Sequence, residues 1–234
     1  MNAIPNRRPW NFEHRFFLVA LVVLFAVVFA GFARTYYLKF LFGTPALPWL
    51  MQLHGALMTS WFALFFTQTC LIASHRLQWH KRLGVLGAML ALAILMIAPI
   101  VFVNSVDREL HTPQGNPAIT VIFGFDLMIL VDFALLAGSA LALRRRSGFH
   151  KRLMLLATCS IIMPAIGRLP ISPNTMEAVF YACVFVPVIV DTVLHRRLHP
   201  AFGWGAPLLA ATEVMAVLGA RTHAWHDFVV RSFA

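Results

Sequence analysis

The chain has 234 residues, of which 60% are hydrophobic and 12% charged, with a formal net charge of +10 and a mean hydropathy of +0.77. Soluble globular chains are about 45–50% apolar and about 25% charged, so this composition excludes a soluble enzyme or binding domain. The basic residues stand between apolar blocks rather than along one face; that is the positive-inside pattern of a membrane protein and argues against nucleic acid as a partner.

The apolar blocks are close to the roughly 20 residues that span a hydrocarbon core. They predict seven transmembrane helices and an all-α, polytopic fold, with the whole chain, 1–234, as one transmembrane domain in contact with the lipid bilayer. The first helix is predicted over 16–33, behind Arg7, Arg8 and Arg15. It is longer than the h-region of a signal peptide and further spans follow, so it reads as a retained helix. Tyr36, Tyr37 and Trp49 then form an aromatic belt at one interface. The second helix is predicted over 49–73 and the third over 83–103. NSVDRELHTPQGNP, residues 104–117, reads as a polar, turn-rich loop. The remaining helices are predicted over 118–143, 153–169, 176–194 and 201–220. Cys70, Cys159 and Cys183 all lie inside apolar blocks and form no CxxC, so they read as small buried residues.

A short element recurs: WHKRLG at 79–84, FHKRLM at 149–154 and, more loosely, LHRRLH at 194–199. Each copy stands between two spans on the same side of the membrane. Helices two–three, four–five and six–seven therefore read as three related hairpins with helix one in front. With the N-terminus inside, the inner segments hold thirteen of the nineteen basic residues and the outer ones six: Arg34, Lys39, Arg108, Arg168, Arg221 and Arg231. The bias predicts a cytoplasmic N-terminus and a C-terminus on the far side.

The second span is LHGALMTSWFALFFTQTCLIASH from 53 to 75, with His54, Trp61, Gln68 and His75 seven residues apart. Seven residues slip only about 20° around a helix and climb about 10.5 Å, so the four share one face, from the outer part of the membrane to its inner surface. Polar side chains inside a bilayer face the bundle interior or a wet cavity. This face packs against other helices, with Gln68 suited to interhelical hydrogen bonding, or lines a ligand or proton site that includes His54.

Asp126 and Asp132 fall in span four, Glu213 in span seven and Arg168 near the outer end of span five. A charge near the bilayer centre costs several kcal/mol unless it is paired or neutralised. Asp126 and Arg168 fall at a depth near that of His54 and predict a cluster: an ion pair, or a site for protons or an anion. Asp132 and Glu213 sit nearer the middle, where two carboxyl groups carry protons or hydrogen-bond to each other.

The inner-surface histidines are His75, His80, His150, His195 and His199. As helix-end anchors they snorkel to the headgroups. HRLQWH and HRRLH lack the His-His doublet of membrane di-iron desaturases, which argues against that class. A b-type haem needs two axial ligands, most simply two histidines on facing helices; His54 has no such partner within a span, whereas His80 and His150 are equivalent in the repeat and positioned to face each other. THAWHD at 222–227 falls on the outer side and cannot join the inner histidines.

HGALMTSW, QTCLIASHRLQWHKRLG and HKRLMLLAT together resemble a group of uncharacterised bacterial multi-pass membrane proteins that carry His-Gly-x-x-x-Thr-x-Trp, a later Gln and His-Arg-Leu-Gly at a helix start. The resemblance covers roughly residues 16–205. It implies the bacterial inner membrane and assigns no catalytic role to any residue. The expectation is a membrane protein with an intramembrane polar site for protons or a small ligand. The alternatives are a redox protein holding haem b or a metal, and an assembly partner whose polar faces pack on a second copy or other membrane subunits.

Overall fold

A computed structural model describes residues 12–113 and 115–233, with side chains from residue 15 onward. All regular structure among them is helical: α1 (Phe12–Phe32), α2 (Trp49–Ala73), α3 (Leu77–Leu110), α4 (Ile119–Ala142), α5 (Ser147–Ser160), α6 (Met163–Ile166), α7 (Pro173–His195), α8 (Pro200–Ala220) and α9 (His223–Ser232). Among the described residues, seven stretches are long and apolar enough to cross a membrane, α5 and α6 together making one of them. The chain is an all-α polytopic membrane protein.

Three tight turns, at 74–76, 143–146 and 196–199, join α2 to α3, α4 to α5 and α7 to α8. They lie on one side of the bundle, here called the hairpin face. At two of these turns the chain reverses through a left-handed residue, His75 (φ 57°) and Arg196 (φ 53°). α5 is the most enclosed helix: Leu153, Leu155, Leu156, Ala157, Thr158 and Cys159 are fully buried. It packs on α4, α7 and α8, and α4 also packs on α3, α8 and α9. The surface of the spans is apolar, with Val22, Leu92, Met96, Ile189, Met215 and Leu218 all exposed, as expected where lipid is the solvent.

Two glycines admit close approaches. The Tyr36 ring occupies the space a Cβ on Gly55 would need, and the Ala165 carbonyl oxygen occupies that on Gly31. The first lets a π-helical turn, Ala33–Tyr37, fold back on α2, where the Tyr37 hydroxyl hydrogen-bonds Thr59 Oγ1 at 3.0 Å. The second brings α1 against α6, a small-residue contact of the kind that joins membrane helices.

The elements depart from expectation in three places. The fifth span is broken: α5 ends at Ser160 and α6 starts at Met163, because Pro164 lacks an N–H and its ring would clash with the carbonyl of Ser160 in a continuous helix. The segment expected as a loop from 104 is helical to Leu110. Its Val-Asp-Arg-Glu-Leu run contains no helix breaker, and the first proline is Pro113. Past the seventh span, Thr222 caps a further helix, α9, by accepting from the Trp225 N–H at 3.2 Å. Trp225 Nε1 donates to the Thr120 carbonyl at 2.7 Å and its ring stacks on Phe123, pinning α9 to the opposite end of α4 from the hairpin face.

Candidate functional site

A pair of buried carboxyl groups lies between α4 and α8. Asp132 follows the apolar run Leu127–Val131 and is 5% exposed; Glu213, on α8, is 8% exposed. The two carboxyls do not hydrogen-bond to each other. Instead Thr212, beside Glu213, places its hydroxyl 2.6 Å from Asp132 Oδ2 and 2.9 Å from the Leu208 carbonyl oxygen. A hydroxyl has one proton and two lone pairs. With Asp132 ionised, Thr212 donates to it; with Asp132 protonated, the carboxyl donates to Thr212 and the hydroxyl turns to Leu208. Both protonation states of Asp132 therefore find partners at one residue. Asp132 Oδ1 and Glu213 Oε1 are buried without a hydrogen-bond partner among the described residues. Glu213 is within electrostatic reach of Asp132 and of Glu177 on α7. Glu177 is exposed and lies four residues into α7 from its N-terminal end, far from the hairpin face. Glu177, Glu213 and Asp132 thus step from that end of the bundle toward its middle.

The α2 stripe faces the bundle at its centre. Trp61 is buried, its Nε1 donates to Thr158 Oγ1 on α5 at 3.2 Å, and its ring meets Phe133 edge-on at 4.9 Å. His54, two turns away, packs edge-on against Phe102 at 6.3 Å, and its Nδ1 is buried without a partner. Gln68 Oε1 is likewise buried and unpartnered, while its Nε2 lies 3.9 Å from where a Cβ on Gly84 would stand. His75 lies beyond the end of α2 and is exposed in the turn.

The outer cluster is looser than expected. Arg168 is on the connection after α6, exposed; its Nη1 donates to the Pro164 carbonyl at 2.6 Å and its guanidinium lies over the Phe32 ring at 4.6 Å. It is within electrostatic reach of His54 and Asp126, but no Asp126–Arg168 ion pair within 4.0 Å forms among the described residues. The break at Pro164 accounts for this, since it turns the chain before Arg168 instead of carrying it along a continuous helix facing α4.

At the hairpin face the repeated element brings two histidines together. The His80 and His150 rings stand 6.3 Å apart, centre to centre, with an interplanar angle of 80°. His195 Nδ1 lies 2.8 Å from the Asp191 carbonyl oxygen, and His199 Nδ1 accepts from the Ala201 N–H at 3.1 Å, capping α8. His223 and His226 sit on α9, at the other end of the bundle.

No protein-family model, curated protein or solved structure matches the chain.

Sequence reasoning missed one pair. Arg152, counted among the loop cations, is 5% exposed at its side chain and makes a two-pronged ion pair with Asp191, 1% exposed. Nε donates to Oδ2 at 2.9 Å and Nη2 to Oδ1 at 2.6 Å. Its Nη1 donates to the Gly148 carbonyl at 3.0 Å, and Phe202 lies beneath the guanidinium at 5.8 Å. The signal was available: Asp191 is a lone carboxylate inside the apolar run VFVPVIVDTVL, and an intramembrane carboxylate implies a cation partner.

Proposed function

We infer that this chain is a bacterial inner-membrane protein that handles protons through an intramembrane carboxyl site. Asp132 and Glu213 are the proton-carrying groups and Thr212 is the switching hydrogen-bond partner. The observation that carries this reading is the Thr212 hydroxyl, placed between Asp132 Oδ2 and the Leu208 carbonyl, which lets Oδ2 gain or lose a proton while keeping a hydrogen-bond partner. Glu177 supplies the entry from the bundle end away from the hairpin face, which the basic-residue bias puts outside. His54, with Arg168 in electrostatic reach, is a second titratable group toward that same end. The motif resemblance to bacterial multi-pass proteins supports the location.

The test uses the full chain in liposomes enclosing a pH-sensitive dye, with an imposed pH gradient. Wild type is expected to pass protons faster than empty liposomes. Glu213→Gln and Asp132→Asn are expected to reduce the rate by about 100-fold or more, the scale of one lost proton-transfer group. Infrared spectra of the same samples should show a carboxyl C=O band that changes with pH and is lost in both variants. Wild-type liposomes no leakier than empty ones, together with a pH-independent carboxyl band, would overturn the reading.

A further inference from the structure

The proton site leaves the hairpin-face histidines unused, and two of them stand close together. His80 and His150 occupy the same position in the two closest copies of the repeat, WHKRLG and FHKRLM, at the starts of α3 and α5. Both are partly buried. His150 Nδ1 is 2.8 Å from the Ala140 carbonyl oxygen. A carbonyl only accepts, so Nδ1 carries the proton and Nε2 keeps its lone pair. A backbone carbonyl on the far nitrogen is the usual outer partner of a metal-binding imidazole, fixing its tautomer and orientation. His80 has the Gln68 backbone against its ring, while its Nδ1 is buried with no hydrogen-bond partner among the described residues. Gln68 itself contributes a second buried, unpartnered atom, Oε1, from a side chain lying beside Gly84, one turn of α3 from His80.

The ring separation bears on what would fit. A metal about 2.0–2.1 Å from an imidazole nitrogen lies about 3.2 Å from the ring centre, so two trans imidazoles have centres about 6.4 Å apart and two tetrahedral ones about 5.2 Å. The observed ring-centre separation of 6.3 Å lies between these two spacings, close enough for one ion to reach both rings.

We propose that His80 and His150 together ligate a transition-metal ion at the hairpin face, with Gln68 Oε1 as a neighbouring oxygen donor. Two imidazoles with at most one amide oxygen suit zinc, copper or iron and are a poor site for magnesium or calcium, which take oxygen ligands. The shared chemistry is imidazole–metal ligation; the metal arrives either as a free divalent ion or as the iron of a haem.

The experiment uses the untagged full chain, purified in detergent and stripped with a chelator. It is titrated separately with zinc chloride against a chromophoric competitor and with haemin. One equivalent is expected to bind. His80→Ala and His150→Ala should each weaken binding by at least the roughly 10- to 100-fold that loss of an outer-shell partner alone costs. His226→Ala, on α9, should bind as wild type. A low-spin Soret spectrum lost in both variants assigns haem iron; zinc binding lost in both without such a spectrum assigns a free ion. The electron paramagnetic resonance spectrum of the wild-type copper(II) complex provides a readout independent of variant folding, and should show coupling to two imidazole nitrogens. Failure of wild type to bind either probe, unchanged binding in a His80→Ala/His150→Ala chain, or a copper spectrum without two-nitrogen coupling would each overturn the proposal. Asp132→Asn should leave metal binding intact, so failure here and failure of the proton reading are separable.

Discussion

Arg152 and Asp191 show how differently one charge behaves according to its partner. Removing one member of a buried pair leaves the other ionised in low dielectric and costs about 3–5 kcal/mol, whereas replacing both by apolar residues is often near neutral. Arg152→Leu and Asp191→Leu should each lower the thermal midpoint in detergent sharply, and the double variant should recover most of the loss. Strict additivity of the two losses would mean that the pair contributes nothing as a pair. His199, in electrostatic reach of Arg152, responds to pH. Its Nδ1 caps α8 only while it carries a lone pair. Burial, and then the Arg152 guanidinium, push its pKa below the ordinary histidine value; Lys151 and Arg197 act the same way and Asp191 opposes them. Between the lowered folded pKa and the unfolded value near 6.5, the unfolded chain binds more protons. The His199 contribution is therefore intact above about pH 6.5 and is lost as pH falls through that value toward the folded one. His199→Asn keeps a capping oxygen that does not titrate. Its midpoint-against-pH curve should be flatter than wild type over about pH 5 to 7, and identical curves would remove His199 from the acid response.

At the level of helices, the spans were legible because apolar length alone decides them; α2 begins and ends where its hydropathy does, Trp49 to Ala73. The stripe on α2 was legible for the same kind of reason, since a seven-residue spacing must share a face, and Trp61 confirms that the face is inward. What could not be read were events that hydropathy does not register. Pro164 sits inside an apolar run that looks continuous, yet it ends α5 and redirects Arg168. α9 depends on Trp225 finding a backbone carbonyl 105 residues away, and no local pattern encodes that. Asp132 was visible as a lone carboxyl, but Thr212 became its partner only through the packing of α4 on α8. The α1–α6 contact is testable at this level. Because the Ala165 carbonyl fills the space a Cβ on Gly31 would need, and backbone cannot rotate away as a side chain can, Gly31→Ala must push α1 and α6 apart. Overpacking of this kind costs about 1–3 kcal/mol, measurable as a lower thermal midpoint. Gly138, with open space around its Cβ position, is the control, and Gly138→Ala should not destabilise, since alanine is also the better helix former. Equal midpoints for Gly31→Ala and wild type would show that the contact gives way freely.

For the molecule as a whole, the distribution of basic residues bears on which way it sits in the membrane. The basic residues beside the hairpin face and near the N-terminus number thirteen, against six at the other end. One of the thirteen, Arg152, is buried against Asp191 and so is not a free loop cation; setting it aside leaves twelve to six, still a two-fold excess. Arg76, Lys81, Arg82, Arg144, Arg145, Arg146, Arg196 and Arg197 remain exposed around the three turns. Short loops with this density of Lys and Arg stay on the cytoplasmic side because they resist translocation. The helical extension of α3 to Leu110 leaves the charge balance unchanged, since Arg108 there contacts Glu109 Oε1 at 3.1 Å and its charge is locally offset. Alkaline phosphatase, active only outside the cytoplasm, fused after residue 113 follows α3 and should be active. Fused after residue 147, just past the α4–α5 turn, it should be inactive. The reverse pattern would place the hairpin face outside, move Glu177 to the cytoplasmic end of the carboxyl series, and expose the His80–His150 pair to the periplasmic metal supply instead of the cytoplasmic one.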